Sequence, residues 1–183
     1  MVKQQVFNQL QLLTNQKLSL MNNGKVEFSG TPSGGAKPIG TDLVSTLIKS
    51  DHTISIEIGE SKERGNGTIL QDKAAAHGEK VGGTNSKIRF DPNNLENAEL
   101  GVKNIDGSTG RPAQIGLAHE LAHAVDGVNG TVTDKTINVI DPDNKSATVG
   151  QMTKDEFRIR TKIENPIREE QGTKQRAIPK IIR

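Results

Sequence analysis

The order of periodic segments in this chain predicts an α+β fold, with short strands first and long helices last. Three observations carry the prediction. Alternating segments flank Asn23-Gly24 in "KLSLMNNGKVEFSG", the short-range signature of a hairpin. Ile54, Ile56 and Ile58 alternate in "HTISIEIGE", the pattern of a half-buried strand. Two helical patterns then open at Pro112 and at Thr153. The 183 residues suit one domain, with an N-terminal helix, hairpin and loop over 1–40 and a core over 41–183.

Residues 4–14 read as a short amphipathic helix and 29–40 as a Gly/Pro-rich loop. "TDLVSTLIKS" reads as a helix with Thr41 as N-cap and Leu43, Val44, Leu47 and Ile48 on its apolar face. "GESKERGNG" is an exposed turn, and "TILQDKAAAHG" fits helix and strand alike. "SKIRFDP" is a strand stopped by Asp91-Pro92, and a loop follows over 91–111. Pro112 suits a helix first turn, and the helix is expected to run to about Val125 and end near Gly127. A second loop, 127–151, leads to the last helix, Thr153 to Glu164, which Pro166 kinks or restarts before Gly172.

Composition removes several function classes. Hydrophobic residues make up 32% and aromatics 2%, with no Trp, Tyr or Cys, so the core is aliphatic and there are no disulfides or thiolate metal sites. A net charge of +2 and the scarcity of aromatics argue against nucleic acid and an anionic membrane as partners. No apolar run approaches the ~18 residues of a membrane span. The Gln/Asn-rich N-terminus "MVKQQVFNQLQLLTNQ" lacks a Sec signal's apolar core, so a secreted product is expected to leave by another route or to have been cut from a larger chain.

"QIGLAHELAHAVDG", residues 114–127, carries the chemistry. His119 and His123 are four apart, so a helix points both the same way, one turn apart. That spacing lets two imidazoles bind one ion. Glu120 lies about 100° round the helix, beside the ion, where it can take a proton from a water on it. The remaining residues are apolar nearly all round, which predicts a buried helix. The competing reading is a core cluster of ordinary hydrogen bonds with no metal.

Two His do not complete a catalytic zinc site, which usually has three protein ligands. Gly and His three and six residues after the second His would mark a metzincin, but Asp126 and Asn129 stand there. On a helical wheel Glu156 shares a stripe with Ile159, Ile163 and Ile167, where a bare carboxylate needs a cation. Thr153 and Glu156 also form a capping-box pattern, which alone would explain the residue. Glu164, about 80° off that stripe, and Asp126, one turn past His123, are the alternative ligands. Asp126 is also a candidate for orienting an imidazole from outside.

"GLAHELAHAVDG" followed by "DEFRIRTKIENPIREEQGTKQR", with "GTNSKIRFDP" before them, resembles the NleD-like family of bacterial effector zinc metallopeptidases over roughly residues 52–176. Related domains occur as C-terminal modules of Rhs-type polymorphic toxins. The resemblance implies one zincin-like domain: a small mixed or antiparallel sheet packed on the His-Glu-x-x-His helix, and a C-terminal helix bearing the third ligand. It implies zinc on His119, His123 and a gluzincin-like Glu156, with catalysis by Glu120. It further implies cleavage of a protein in the target cell's cytoplasm, delivery by a specialised secretion system, and a possible cognate immunity protein. One departure stands out. Members of the family often carry a Tyr after the Arg that aligns with Arg176, whereas "RAIP" follows here and the chain has no Tyr. Arg160, Arg168, Arg176 and His77 are the remaining candidates for stabilising an oxyanion.

Three functions compete. A zinc endopeptidase would bind substrate as an added strand on the sheet, with "SKIRFDP" as the receiving edge. A non-catalytic module would keep zinc only for folding and would have no use for Glu120. A metal-free protein-binding module would hold the His cluster by hydrogen bonds alone.

Overall fold

A computed structural model describes residues 2–30, 35–59, 65–92, 101–144 and 146–183. The first helix, α1 (Val2–Leu13), turns Val6, Leu10 and Leu13 into the core. The expected hairpin follows as β1 (Leu18–Leu20) and β2 (Val26–Phe28), antiparallel with Leu18 opposite Phe28. Gly24 takes φ +91° in its loop, which explains the Asn-Gly signal.

Helix α2 (Pro38–Lys49) starts earlier than the sequence predicts. Pro38 occupies the first turn, and Thr41 lies inside the helix, where its hydroxyl accepts the Asn15 N–H at 3.0 Å. Thr41 is therefore not the N-cap. The first-turn N–H groups of Ile39 and Gly40 are met instead by the Glu170 carboxylate, at 2.5 and 3.1 Å. An anion from the far end of the chain does what a local cap usually does.

Strands β3 (Ile54–Ile58), β4 (Gly67–Leu70) and β5 (Ser86–Phe90) form a mixed sheet in the order β3-β5-β4, with a one-turn helix α3 (Lys73–Ala76) between β4 and β5. β3 runs parallel to β5, and β4 antiparallel. The strand in "SKIRFDP" is thus the central one, not a receiving edge. Pro92 lies beyond its last residue and interrupts no ladder bond. The ambiguous "TILQDKAAAHG" divides into β4 and α3. Most of "GESKERGNG" (60–64) and the middle of the 91–111 loop (93–100) lie outside the described residues.

Helix α4 (Ala113–Asn129) is the centre of the molecule. Ile115, Leu117, Ala118, Leu121, Ala122 and Ala124 are buried against α1, α2, β4 and β5. It outlasts the expected end at Gly127 and stops at Gly130, whose φ of +64° forms the C-cap. Gly127 is a packing site instead: a Cβ there would lie 2.5 Å from Leu70 Cδ2.

The segment expected as a loop over 127–151 holds two strands, β6 (Thr136–Ile140) and most of β7 (Val149–Thr153). With β8 (Lys180–Ile181) they form an antiparallel sheet ordered β7-β6-β8. Only Val139 and Met152 of the β6–β7 pair are buried, so little apolar alternation marks them. The C-terminal helix runs unbroken as α5 (Lys154–Arg158), a π-helical segment (Ile159–Glu164) and α6 (Asn165–Glu170). The widened turn comes just before Pro166, whose ring would crowd a regular α-turn. Among the described residues no helix is long and apolar enough to cross a membrane.

Gly40 joins α1 to α2 by contact: a Cβ there would meet the Leu13 carbonyl oxygen at 2.1 Å. That oxygen is backbone and cannot swing away. Gly40→Ala is expected to cost about 1–3 kcal/mol through overpacking. The check is a lower denaturation midpoint with an unchanged m-value.

Candidate metal centre

His119 and His123 project from one face of α4 with ring centroids 5.1 Å apart. Glu156 reaches them from the first turn of the C-terminal helix. Its Oε2 lies 3.2 Å from His119 Nε2 and 3.3 Å from His123 Nε2. Ligand atoms of the three residues all fall within 4.8 Å of one another, a group that could hold a metal ion. The capping-box pattern is half realised. The Glu156 N–H donates to Thr153 Oγ1 at 3.2 Å, so Thr153 caps the helix. The Glu156 carboxylate does not return to the cap and is left for the imidazoles.

Glu120 is buried beside this group. The Thr68 hydroxyl, on β4, lies 2.9 Å from its carbonyl oxygen and 3.0 Å from its Oε2. The edge strand thereby fixes the carboxylate that the sequence marks as a base.

Behind His119 lies Glu164, fully buried. Its Oε2 accepts the His119 Nδ1–H at 3.0 Å and an Arg176 Nη1–H at 2.7 Å, and its Oε1 accepts Arg168 Nε–H at 3.0 Å. Arg111 adds a third guanidinium at 3.8 Å. Burial opposes the Glu164 charge, but Arg176 and the other cations hold its carboxyl well below the ordinary range. Arg176 continues to Asp143 at 2.6 Å, Asp143 lies 3.5 Å from Arg160, and Arg160 Nε donates to Glu156 Oε1 at 2.5 Å. The chain of contacts closes into a ring: His119, Glu164, Arg176, Asp143, Arg160, Glu156, and back to His119. Burial works to lower the His119 pKa, yet the two carboxylates push it up to about 9.

The wheel that put Glu164 off the buried stripe assumes an α-helix throughout. The π-helical segment absorbs an extra residue, which rolls the following positions back by about 100°. Glu164 therefore lands on the stripe of Glu156, but one shell further out, against Nδ1 rather than among the grouped ligand atoms. Asp126, the other alternative, is bound to Arg158 instead of an imidazole, and burial pushes its carboxyl up. Of the oxyanion candidates, Arg168 is fully buried between Glu164, Asn104 and the Lys174 carbonyl. Arg176 and Arg160 are committed to the ring, and Arg160 also to Asp141. His77 sits at the end of α3, 3.7 Å from Asp134. Sequence reasoning missed Thr68, Asp143 and Arg111. None carries a local signal, because each acts across the fold.

Comparison with known protein families matches residues 33–178 to the M91 peptidase family, described as effector proteins. The chain belongs to this family. Comparisons with curated proteins and with solved structures give no match. Membership agrees with the NleD-like resemblance and makes this M91 chain an effector peptidase by family, with a protein as the implied substrate.

Glu164→Gln would keep the shape and remove the charge that three guanidiniums surround. The unfolding free energy is expected to fall by about 3–5 kcal/mol, the usual cost of breaking a buried ion pair. Chemical denaturation beside the exposed control Glu169→Gln reads the difference.

Proposed function

We propose that this M91 chain is a zinc-dependent endopeptidase of the gluzincin type, delivered by a specialised secretion system to cleave a protein in the cytoplasm of a target cell. The convergence of His119, His123 and Glu156 beside Glu120 carries the reading. The donor set fits zinc by its chemistry: two imidazoles and one carboxylate, in a chain without Cys. Glu120 stands outside that set, as a base should, and a purely structural site would not need it. That weighs against a non-catalytic, zinc-stabilised module.

Zinc, when bound, would supply a Lewis acid and lower the pKa of its water. Glu120 takes a proton from the attacking water and passes it to the leaving amine nitrogen. Thr68 holds Glu120 at the required angle. Glu164 fixes the His119 ring by accepting its Nδ1 proton, which leaves Nε2 facing Glu156. Arg160 orients the Glu156 carboxylate from its far oxygen. The substrate-receiving edge belongs to β4, which adjoins α4 through Thr68, and an extended peptide adds there by backbone hydrogen bonds.

Purified protein is expected to hold one zinc by elemental analysis. Glu120→Gln should retain it while turnover drops by ~10²–10⁴-fold. Wild-type turnover by Glu120→Gln would sink the mechanism. Glu156→Gln keeps the Thr153 cap through its backbone N–H but should lose zinc to a chromophoric chelator far more readily. Unchanged zinc affinity there, with a large loss in Glu164→Gln or Asp126→Asn, moves the third ligand to that residue.

A further inference from the structure

Every arginine proposed from sequence to stabilise substrate oxygen is spent on an internal partner. Arg111 is not. Its side chain is 19% exposed, and among the described residues its ion-pair partner is Glu164, 3.8 Å away. Among the described residues its guanidinium donates no hydrogen bond. Arg168 and Arg176 already hydrogen-bond both carboxylate oxygens of Glu164, so Arg111 reaches it only at ion-pair distance.

The guanidinium lies over Gly116 in the first half of α4. A Cβ at Gly116 would come within 3.3 Å of Arg111 Nε and Nη2, and within 2.9 Å of Asn66 Nδ2. Glycine leaves room there for both side-chain tips to lie on the helix. Asn66 immediately precedes β4. Its Oδ1 is taken by the Asp91 N–H at 3.0 Å, and its amide Nδ2 lies over Gly116, as the guanidinium does. That Nδ2 also has no acceptor among the described residues. Gly116 and Glu120 are four apart, so the donors stand one turn from the base, on the same helix face. They also stand at the start of the edge strand.

We propose that Arg111 and Asn66 form a substrate-binding pair that takes a peptide carbonyl oxygen of the bound chain, beside Glu120. The proposal rests on the endopeptidase reading above. Donors that lie together with no hydrogen-bond acceptor among the described residues, one of them a guanidinium, suit an oxygen ligand and repel a cation. The position at the head of β4 is where an added strand presents its carbonyls. The pair supplies the donors that a tyrosine hydroxyl cannot supply in this chain.

The test begins with N-terminal mapping of target-cell lysate treated with wild type or Glu120→Gln, followed by kinetics on the cleaved protein. Arg111→Gln is expected to lower kcat/KM on the order of 10–100-fold, the value of a charge-assisted hydrogen bond. Asn66→Asp keeps the acceptor for Asp91 and sets an anion against Arg111, so it should lose a comparable amount. Zinc affinity and the unfolding midpoint should match wild type in both. Wild-type kinetics in both variants would overturn the pair. So would a loss of activity matched by loss of zinc or of stability, which would make Arg111 only a support for Glu164. If wild type and Glu120→Gln yield the same new termini, the peptidase reading fails and this subsite fails with it.

Discussion

A single buried carboxylate organises the functional half of this protein. Glu164 is withdrawn from water completely, and an isolated charge there would be prohibitively costly. It is tolerated because two guanidiniums and an imidazole donate to it at once. Each donor comes from a different place: α4, α6 and the segment before β8. Satisfying one charge thus docks three parts of the chain on one another. The same carboxylate hydrogen-bonds His119 Nδ1 and orients the ring, so the fold and the candidate metal centre share a component.

The ring around the site extends this logic. Arg176, Asp143 and Arg160 connect the carboxylate behind His119 to the carboxylate in front of it. Asp143 also accepts the Lys103 N–H at 2.7 Å and so draws in the loop before α4. Asn165 pins the Arg176 backbone by two hydrogen bonds, 2.7 and 3.0 Å long. A ring of alternating charges in a low-dielectric setting is rigid, because moving any member exposes its neighbours unpaired. Rigidity is what a site built from two imidazoles and one carboxylate needs, since the grouped atoms must stay convergent even when no cation holds them.

The polar and apolar positions of the C-terminal helix each have a separate physical reason. Glu156 faces the imidazoles, Glu164 orients one of them, and Asn165 clasps Arg176. Ile167 fills the core, Arg168 neutralises Glu164, and Glu170 caps α2 from a distance. Only the first of these touches the grouped ligand atoms. The helix is a scaffold with one candidate ligand at its head.

Much of this was legible in the residues. The α+β order, the hairpin at Asn23-Gly24, the alternation of Ile54, Ile56 and Ile58, and the His119, Glu120, His123 face of α4 follow from local periodicity, which acts within a few residues and leaves a mark in sequence. The position of Glu156 was legible because the residue itself lies before the π-helical segment. What failed depends on distant partners. Thr41 gave way to Glu170 as the cap of α2, Gly127 proved to be a contact with Leu70 rather than a helix end, and β6 and β7 carry too little buried apolar surface to show alternation. Strand order put β5 in the middle of its sheet and β4 at the edge, and no periodicity encodes order. The turn that rolls Glu164 onto the stripe, and the ring it anchors, were set by tertiary structure alone. A buried charge is stable only where the whole fold delivers its counter-charges, and those residues are neighbours in space but not in sequence.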